Sequence, residues 1–235
     1  MNARRDEVAA NLTRLRDRIA GACDRASRDP DDVTLTVVTK FFPASDVRLL
    51  ADLGVRHVGE NRHQEAVAKA AECADLDLTW HFIGGLQSNK AAAVAEYADV
   101  VESVDRPKLL RGLSAGAHHR GRPVDCLVQV NLDPPGLDMS QRAGAAADEA
   151  LPLAERVLAT EGLRLRGVMA VGPLGVDPAP AFAKLAEIAV QVRCLDPAAT
   201  WISAGMSGDF EAAIESGATH VRIGSAVLGS RPPRR

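Results

Sequence analysis

The sequence predicts an α/β protein folded as one (β/α)₈ TIM-type barrel over residues 1–235, and three observations support this fold class. Short runs rich in β-branched residues recur along the chain, each followed by a segment with helical spacing of apolar residues. Eight such runs occur, the number at which a parallel sheet closes into a barrel. Several are almost wholly apolar, such as residues 35–38 and 127–130, which is typical of parallel strands covered on both faces.

The chain is expected to open with an amphipathic helix over about residues 5–25. Val8, Leu12, Leu15 and Ile19 recur at helical spacing, and the charged residues between them distinguish the segment from a secretory signal. Few residues follow the eighth predicted strand, which leaves little room for a helix of ordinary length. We therefore expect the N-terminal helix to pack across the gap between strands eight and one and to complete the helical ring.

The predicted strands alternate with helical segments that begin near Ser, Asp, Asn or Pro. They cover residues 34–39, 57–59, 80–83, 100–104, 126–131, 166–171, 200–203 and 220–223. An open Rossmann-type sheet is the competing arrangement. We favour the barrel because Phe41, Phe42 and Pro43 follow the first strand, where a dinucleotide-binding fold would have a Gly-x-Gly-x-x-Gly loop.

The composition excludes several classes of function. Lys and Arg number 28 against 31 Asp and Glu, a formal net charge of −3, which disfavours nucleic acid as the main partner. No apolar run reaches the roughly 18 residues that a membrane helix needs. The four cysteines stand far apart without a nearby histidine, so we expect a reduced, cytoplasmic protein with no metal site.

Functional residues of such barrels lie at the carboxyl ends of the strands, and Lys40 stands at the end of the first one. A lysine held beside apolar groups has a lowered pKa, and its neutral amine attacks a carbonyl carbon to form a Schiff base. A lysine at a strand end also simply reaches solvent in many proteins. Other strand ends must therefore separate these interpretations.

The loops after strands seven and eight predict a phosphate cradle. Small residues lead through Ser207 into a helix, and Gly224 and Ser225 follow the last strand. Backbone N–H groups and hydroxyls bind anions, and barrels often hold phosphate in these two loops. Each loop alone also fits a helix cap at Ser207 or Asp209, or a simple glycine turn.

Side chains on other strands complete the candidate set. Arg222 alternates with apolar neighbours, so we expect it to face the barrel interior and to need an acid there, Glu60 or another carboxylate. His81 is interpreted as a core histidine. Met169 and Met206, both at strand ends, suit core packing or the face of a flat aromatic ligand. An amine, a phosphate cradle and an arginine suit pyridoxal 5′-phosphate, and equally a sugar phosphate in a Schiff-base aldolase.

Six motifs, in this order, resemble the YggS/PROSC family of pyridoxal phosphate homeostasis proteins over nearly the whole chain. They are VTK at 38–40, VGEN at 58–61, WHFIGGLQSNK at 80–90, LRGVMA at 165–170, SAGMS at 203–207 and VRIGS at 221–225. The resemblance implies a fold-type III barrel, like the N-terminal domain of alanine racemase, with the cofactor held as a Schiff base on Lys40.

The resemblance also implies a set of cofactor-binding residues. They are Lys40, Asn61, Met169, Ser207, Arg222, Gly224 and Ser225. The serines and the glycine would hold the phosphate, the arginine would lie near the cofactor ring, and the asparagine and methionine would flank it. Two positions depart from the family pattern. Phe42 stands where many relatives have a second lysine, and residues 142–144, Arg-Ala-Gly, are the nearest match to their Lys-x-Gly after strand five.

Family members are regarded as carriers or regulators of the vitamin B6 pool without established turnover. The resemblance thus implies a monomeric, cytoplasmic carrier of pyridoxal phosphate, whose partners are the cofactor and the apo-enzymes that use it. Two alternatives stay open. One is a pyridoxal phosphate-dependent racemase-like enzyme or a Schiff-base aldolase, and the other is a protein whose bound cofactor reports B6 status to a partner.

Overall fold

The computed structural model describes residues 2–133 and 143–229, which form a closed barrel of eight parallel strands in sequence order. The strands are β1 (Thr34–Val38), β2 (His57–Glu60), β3 (Thr79–Phe82), β4 (Val100–Val104), β5 (Val124–Val130), β6 (Leu163–Ala170), β7 (Trp201–Ser203) and β8 (His220–Ile223). The ring closes where β8 pairs with β1, with Leu35 opposite Val221. The predicted barrel is confirmed, and the open sheet is excluded.

Helices cover the outside of the barrel. In the described part of the chain they are α1 (Asn2–Arg25), α2 (Ala44–Asp52), α3 (His63–Glu72), α4 (Ala91–Tyr97), α5 (Leu110–Arg120), α6 (Ala150–Leu158), α7 (Ala179–Leu195), α8 (Phe210–Glu215) and α9 (Ser225–Leu228). None of these helices is both long and apolar enough to cross a bilayer. Residues 134–142, which follow β5, lie outside the described residues, and Arg142 of the Arg-Ala-Gly match is one of them.

Each predicted strand corresponds to an observed one, with differences at the ends. The largest is at β6, which begins at Leu163 and not at residue 166. The first half of β6 alternates buried leucines with arginines, and Arg164 donates to Asp125 Oδ1 of β5 at 2.6 Å. Arg164 interrupts the apolar run in this half of β6. The sequence prediction depended on such runs and therefore placed the start of the strand too late.

Successive side chains along each strand point alternately outward and inward. The outward side chains are mostly apolar, whereas many of the inward ones are polar. Outward residues such as Val37 and Val128 pack in two large apolar clusters with the helices. The inward positions carry many buried polar side chains, and the small apolar cluster of Val100, Leu127 and Met169 lies apart from the two large ones. The polar interior is the region directly beneath the carboxyl ends of the strands.

The N-terminal helix α1 packs against α8 and α9. Its apolar side is buried with Val227 and Leu228 of α9, and Asn11 Nδ2 donates to the Val227 carbonyl at 2.8 Å. Arg4 joins both sides of the seam between β8 and β1, because it bonds to Asp46 on α2 and to the Leu228 carbonyl. The first helix of the chain therefore stands where the last helix of a regular barrel would stand.

Candidate functional site

A cavity of about 290 Å³ opens at the carboxyl ends of β1, β7 and β8. It is lined by Val38, Lys40, Phe42, Met206, Ser207, Gly208, Arg222, Gly224, Ser225 and Gly229. The structure thus brings together Lys40, Ser207, Arg222, Gly224 and Ser225 from the set that the sequence singled out. The cavity combines one amine, one guanidinium, two hydroxyls and apolar walls.

One end of the cavity is rich in hydrogen-bond donors. The hydroxyls of Ser207 and Ser225 lie 3.3 Å apart. Asp209 Oδ1 accepts from the Met206 N–H at 2.6 Å and so shapes the turn itself. Among the described residues, the N–H groups of Ser207 and Gly208 donate to no acceptor. Hydroxyls and N–H groups with this convergence suit a phosphate or another anion.

Glycines bring the two loops close to their neighbours. Gly205 turns the chain after β7 with φ +92°, and a Cβ there would lie 2.7 Å from the Cα of Phe210. A Cβ on Gly224 would lie 3.1 Å from the Val38 carbonyl oxygen. Because a side chain would push β8 away from β1 at this point, Gly224 keeps Ser225 beside the Lys40 loop.

The backbone on both sides of Lys40 is held by α3. The Thr39 carbonyl accepts from Lys69 Nζ at 2.7 Å, and the Phe41 N–H donates to Glu65 Oε2 at 3.1 Å. Phe41 has φ +71°, a left-handed conformation that is uncommon for a bulky residue. Two tethers thus fix the turn that carries the half-buried Lys40 at the cavity.

Glu60, the acid that the sequence offered as a partner for Arg222, does not bond to it and lies beside this turn. Glu60 lies on the outer side of β2, since the inward position is taken by Gly59. Its Oε1 accepts from Lys69 Nζ at 2.6 Å and from the Thr39 hydroxyl at 2.7 Å. Its Oε2 is buried with no partner among the described residues. Burial raises the pKa of Glu60, against the opposing effect of Lys69.

Arg222 points into the barrel interior, as predicted, and the acid beside it is Glu102. Its Nη1 donates to Ser203 Oγ at 2.6 Å, and its Nη2 donates to the Ala170 carbonyl at 2.7 Å. The Glu102 Oε2 lies 3.7 Å from Nη1. Burial lowers the pKa of Arg222, and the Glu102 charge opposes that shift.

Both oxygens of Glu102 accept hydrogen bonds. Ser203 Oγ donates to Oε2 at 2.6 Å, and His81 Nδ1 bonds to Oε1 at 2.7 Å. Burial opposes ionisation of Glu102, but the hydrogen bond and charge of His81, the Arg222 charge and the Ser203 bond together lower its pKa to about 2. His81 Nε2 in turn lies 3.0 Å from His57 Nδ1. We call this series, from Arg222 through Ser203, Glu102 and His81 to His57, the interior chain.

Asn61 and Met169 do not line the cavity that contains Lys40. Met169 is 1% exposed and packs inside the barrel with Val100 and Leu127. Asn61 lines a separate cavity beyond β2 and β3, together with Lys90. The methionine at the Lys40 cavity is Met206.

Some residues of the site region escaped the sequence analysis. Glu102 could have been found from the sequence, because it is a charged residue inside the otherwise apolar strand segment 100–104. Lys69 could not have been found in this way, because a lysine on a helix is ordinarily exposed. Phe42, at the position where many relatives have a lysine, is 7% exposed and forms part of the apolar wall.

Comparisons with known proteins place the chain in a family. The model for "Alanine racemase, N-terminal domain" matches residues 5–232. A pyridoxal phosphate homeostasis protein of Pseudomonas aeruginosa is 42% identical, over 95% of this chain and 96% of the relative. A protein of the same name from Mycobacterium tuberculosis strain H37Rv is 39% identical, over 97% of this chain and 94% of the relative.

A solved structure agrees with these relatives. PipY of Synechococcus elongatus PCC7942, determined with PLP bound, superposes with a TM-score of 0.81 at 35% identity, over 94% of this chain and 100% of PipY. The family model and the relatives both extend over nearly the full sequence. The chain therefore belongs to the alanine racemase N-terminal domain family and, within it, to the pyridoxal phosphate homeostasis proteins.

Proposed function

We propose that this protein binds pyridoxal 5′-phosphate at the cavity between β1, β7 and β8, and that it stores the cofactor and hands it on within the vitamin B6 pool of the cell. The observation that carries the proposal is the convergence of Lys40, Ser207, Ser225 and Arg222 on one cavity. The names of the relatives and the PLP-bound structure of PipY support the same ligand.

The residues that line the cavity fit the phosphate, the ring and the aldehyde of this cofactor. The hydroxyls of Ser207 and Ser225, with the N–H groups beside Ser207, would hold the phosphate. Val38 and Met206 offer apolar contact to an aromatic ring, and Arg222 presents its guanidinium from below. When bound, the cofactor supplies an electrophilic aldehyde, which the Lys40 amine would hold as a Schiff base.

The openness of the cavity supports a role in handing on the cofactor. Gly208 and Ser225 are exposed, and Lys40 is only half-buried. Water and an incoming amine therefore have access to the position where the aldehyde would be held. The recipients in this proposal are apo-enzymes that need pyridoxal phosphate, and the carrier acts as a cytoplasmic monomer.

The test is a visible spectrum of the purified protein before and after addition of pyridoxal phosphate, followed by borohydride reduction and peptide mass spectrometry. We expect a visible absorption band and a phosphopyridoxyl adduct on Lys40, both lost in Lys40→Ala. Lys184→Ala is the matched control, because Lys184 is an exposed lysine that pairs with Glu187. Absence of cofactor uptake by the wild-type protein would overturn the proposal.

The enzyme alternatives are separated by two further measurements on the same preparation. A racemase-like enzyme would exchange the α-proton of an amino acid for deuterium in deuterated water, whereas a carrier would not. An aldolase would trap a sugar phosphate, and not pyridoxal phosphate, on Lys40 under borohydride. A protein that only reports B6 status would capture different partners with and without cofactor.

A further inference from the structure

The interior chain joins the two ends of the barrel through hydrogen bonds between buried side chains. Ser203 and Glu102 are 0% exposed, His81 is 1% exposed and Arg222 is 4% exposed. Every link between consecutive members, from Arg222 Nη1 to His57 Nδ1, measures between 2.6 and 3.0 Å. The proposed function gives no role to Glu102, Ser203, His81 or His57.

The hydrogen bonds of the interior chain converge on Glu102 from both sides. A carboxylate only accepts, so His81 Nδ1 and the Ser203 hydroxyl donate to Glu102. Between His81 Nε2 and His57 Nδ1 one nitrogen donates to the other. Arg222 in turn donates to Ser203 Oγ. Each group therefore limits the orientation of the next one.

His57 ends this series on the opposite face of the barrel from Lys40. It is the first residue of β2, whereas the Lys40 cavity lies at the carboxyl ends of the strands. His57 is partly exposed and lines a second cavity, of about 550 Å³, with the exposed residues Arg16 and Arg56. Solvent therefore reaches the far end of the interior chain.

We propose that Glu102, Ser203 and His81 are positioning residues that hold Arg222 beneath the bound cofactor, and that His57 acts on the cofactor from the opposite face through them. This inference rests on the proposed function. A guanidinium with a paired acid has a fixed orientation and a partly offset charge. Removal of any link frees Arg222 to turn or leaves more of its positive charge beneath the cavity.

Other ionisable groups face this network and belong to any account of its pH dependence. The ring of His220 on β8 lies 6.4 Å from that of His81. Asp99 acts on His57, Arg166 acts on His220, and Asp209 acts on Arg222, in each case through its charge. None of these groups lines the Lys40 cavity. The variants below leave all of them in place, so their contribution is common to every protein compared.

The experiment is a pH titration of the visible band of the cofactor-loaded protein, with the dissociation constant of pyridoxal phosphate measured alongside. Glu102→Gln removes a negative charge that favours a protonated Schiff-base nitrogen, so its pH midpoint should fall by about one unit. Ser203→Ala should lower the midpoint by a smaller amount and weaken binding several-fold. Ser203→Thr keeps the hydroxyl and should restore wild-type behaviour.

The role of His57, at the far end of the interior chain, is tested by His57→Leu. His81 Nε2 then loses its hydrogen-bond partner, which loosens the hold of His81 on Glu102, so the midpoint should move in the same direction by roughly 0.3 unit. Arg56→Gln is the matched control, because Arg56 lines the same second cavity and, among the described residues, donates to the carbonyls of Ala51 and Val55. It should leave the midpoint unchanged.

The outcomes distinguish this inference from the proposed function. If the wild-type protein takes up no pyridoxal phosphate, the proposed function fails and this inference fails with it. If the wild-type protein is loaded but all folded variants titrate within about 0.2 unit of it, only this inference is overturned. An equal shift in Arg56→Gln would overturn the role of His57. Should Glu102→Gln not fold, Ser203→Ala with its Ser203→Thr rescue decides.

Discussion

Two buried carboxylates, Glu60 and Glu102, lie under the candidate site and differ in how they are satisfied. Glu60 is 1% exposed and Glu102 is 0% exposed, so both lost nearly all contact with water on folding. Glu60 has one cation, Lys69, and one oxygen without a partner among the described residues. Glu102 has hydrogen bonds on both oxygens and two basic residues, His81 and Arg222, within 4 Å.

The consequence is that the pKa values of the two carboxylates shift in opposite directions on folding, although burial raises both. For Glu60 the loss of solvation exceeds the help from Lys69, and the pKa is raised. For Glu102 the partners exceed the loss of solvation, and the pKa is lowered to about 2. Burial alone therefore does not determine the charge of a carboxylate, because the number of satisfied lone pairs decides which effect is larger.

The strongest test of this difference between the two carboxylates is Glu102→Gln. The substitution leaves the charge of the buried Arg222 unpaired, so we expect a loss of about 3–5 kcal/mol in the free energy of unfolding at pH 7. Urea denaturation of the cofactor-free protein measures it. Glu187→Gln, in an exposed pair with Lys184, is the control and should change stability by less than about 0.5 kcal/mol. A loss below about 1 kcal/mol for Glu102→Gln would contradict the account.

A somewhat smaller loss is expected for Lys69→Met. Glu60 then has no cation, but its pKa is already raised, so it can take up a proton and limit the cost to about 2–3 kcal/mol at pH 7. The same property predicts that the loss shrinks as the pH falls. Urea midpoints of the variant and the wild-type protein at pH 7 and pH 5 measure both effects. A loss that grows on acidification would show that Glu60 stays charged.

The smallest effect is the acid sensitivity of the histidines around Glu102. Burial lowers the pKa of His57 to about 4 and that of His220 to about 3, from an ordinary value of 6.5. The unfolded chain therefore binds more protons below pH 6.5, and stability is lost as the pH falls from 6.5 through these folded values. Glu60, with a raised pKa, contributes with the opposite sign, since its stabilisation is lost as the pH rises.

His220→Asn tests this pH dependence. The variant should lose less stability than the wild-type protein on acidification, by about 1 kcal/mol between pH 6.5 and pH 5. Urea unfolding at several pH values measures the difference. Equal slopes in the two proteins would contradict the assignment of a neutral, buried His220.

Much of this architecture could be predicted from the sequence. The eight strands were visible because parallel strands buried on both faces are short and apolar, and they all occur within a few residues of the predicted positions. The residues at the ends of β1, β7 and β8 meet at one cavity because carboxyl ends of parallel strands share one face of a barrel. Strand order alone was sufficient for that conclusion.

The partners of the buried charges could not be predicted in the same way. The acid expected beside Arg222 was Glu60 or another carboxylate, and the choice depended on which side of its strand each acid faces. Glu60 follows the inward-facing Gly59 and so points out to α3, whereas Glu102 points inward. Met169 also faces inward, but it packs with Val100 and Leu127 and not at the Lys40 cavity. How deep a side chain lies within a barrel depends on the register of the strands, which cannot be determined from a single sequence.

The position of α1 has a consequence for how the chain acquires its fold during synthesis. The helix is synthesised long before Val227 and Leu228, which cover part of its apolar side. The apolar side of α1 therefore lacks these two residues of its cluster until β8 and α9 have been made. Contacts between sequence positions so far apart also slow folding, because a long loop must close before they form. Packing of α1 against α9 is thus a late step for a nascent chain of this topology.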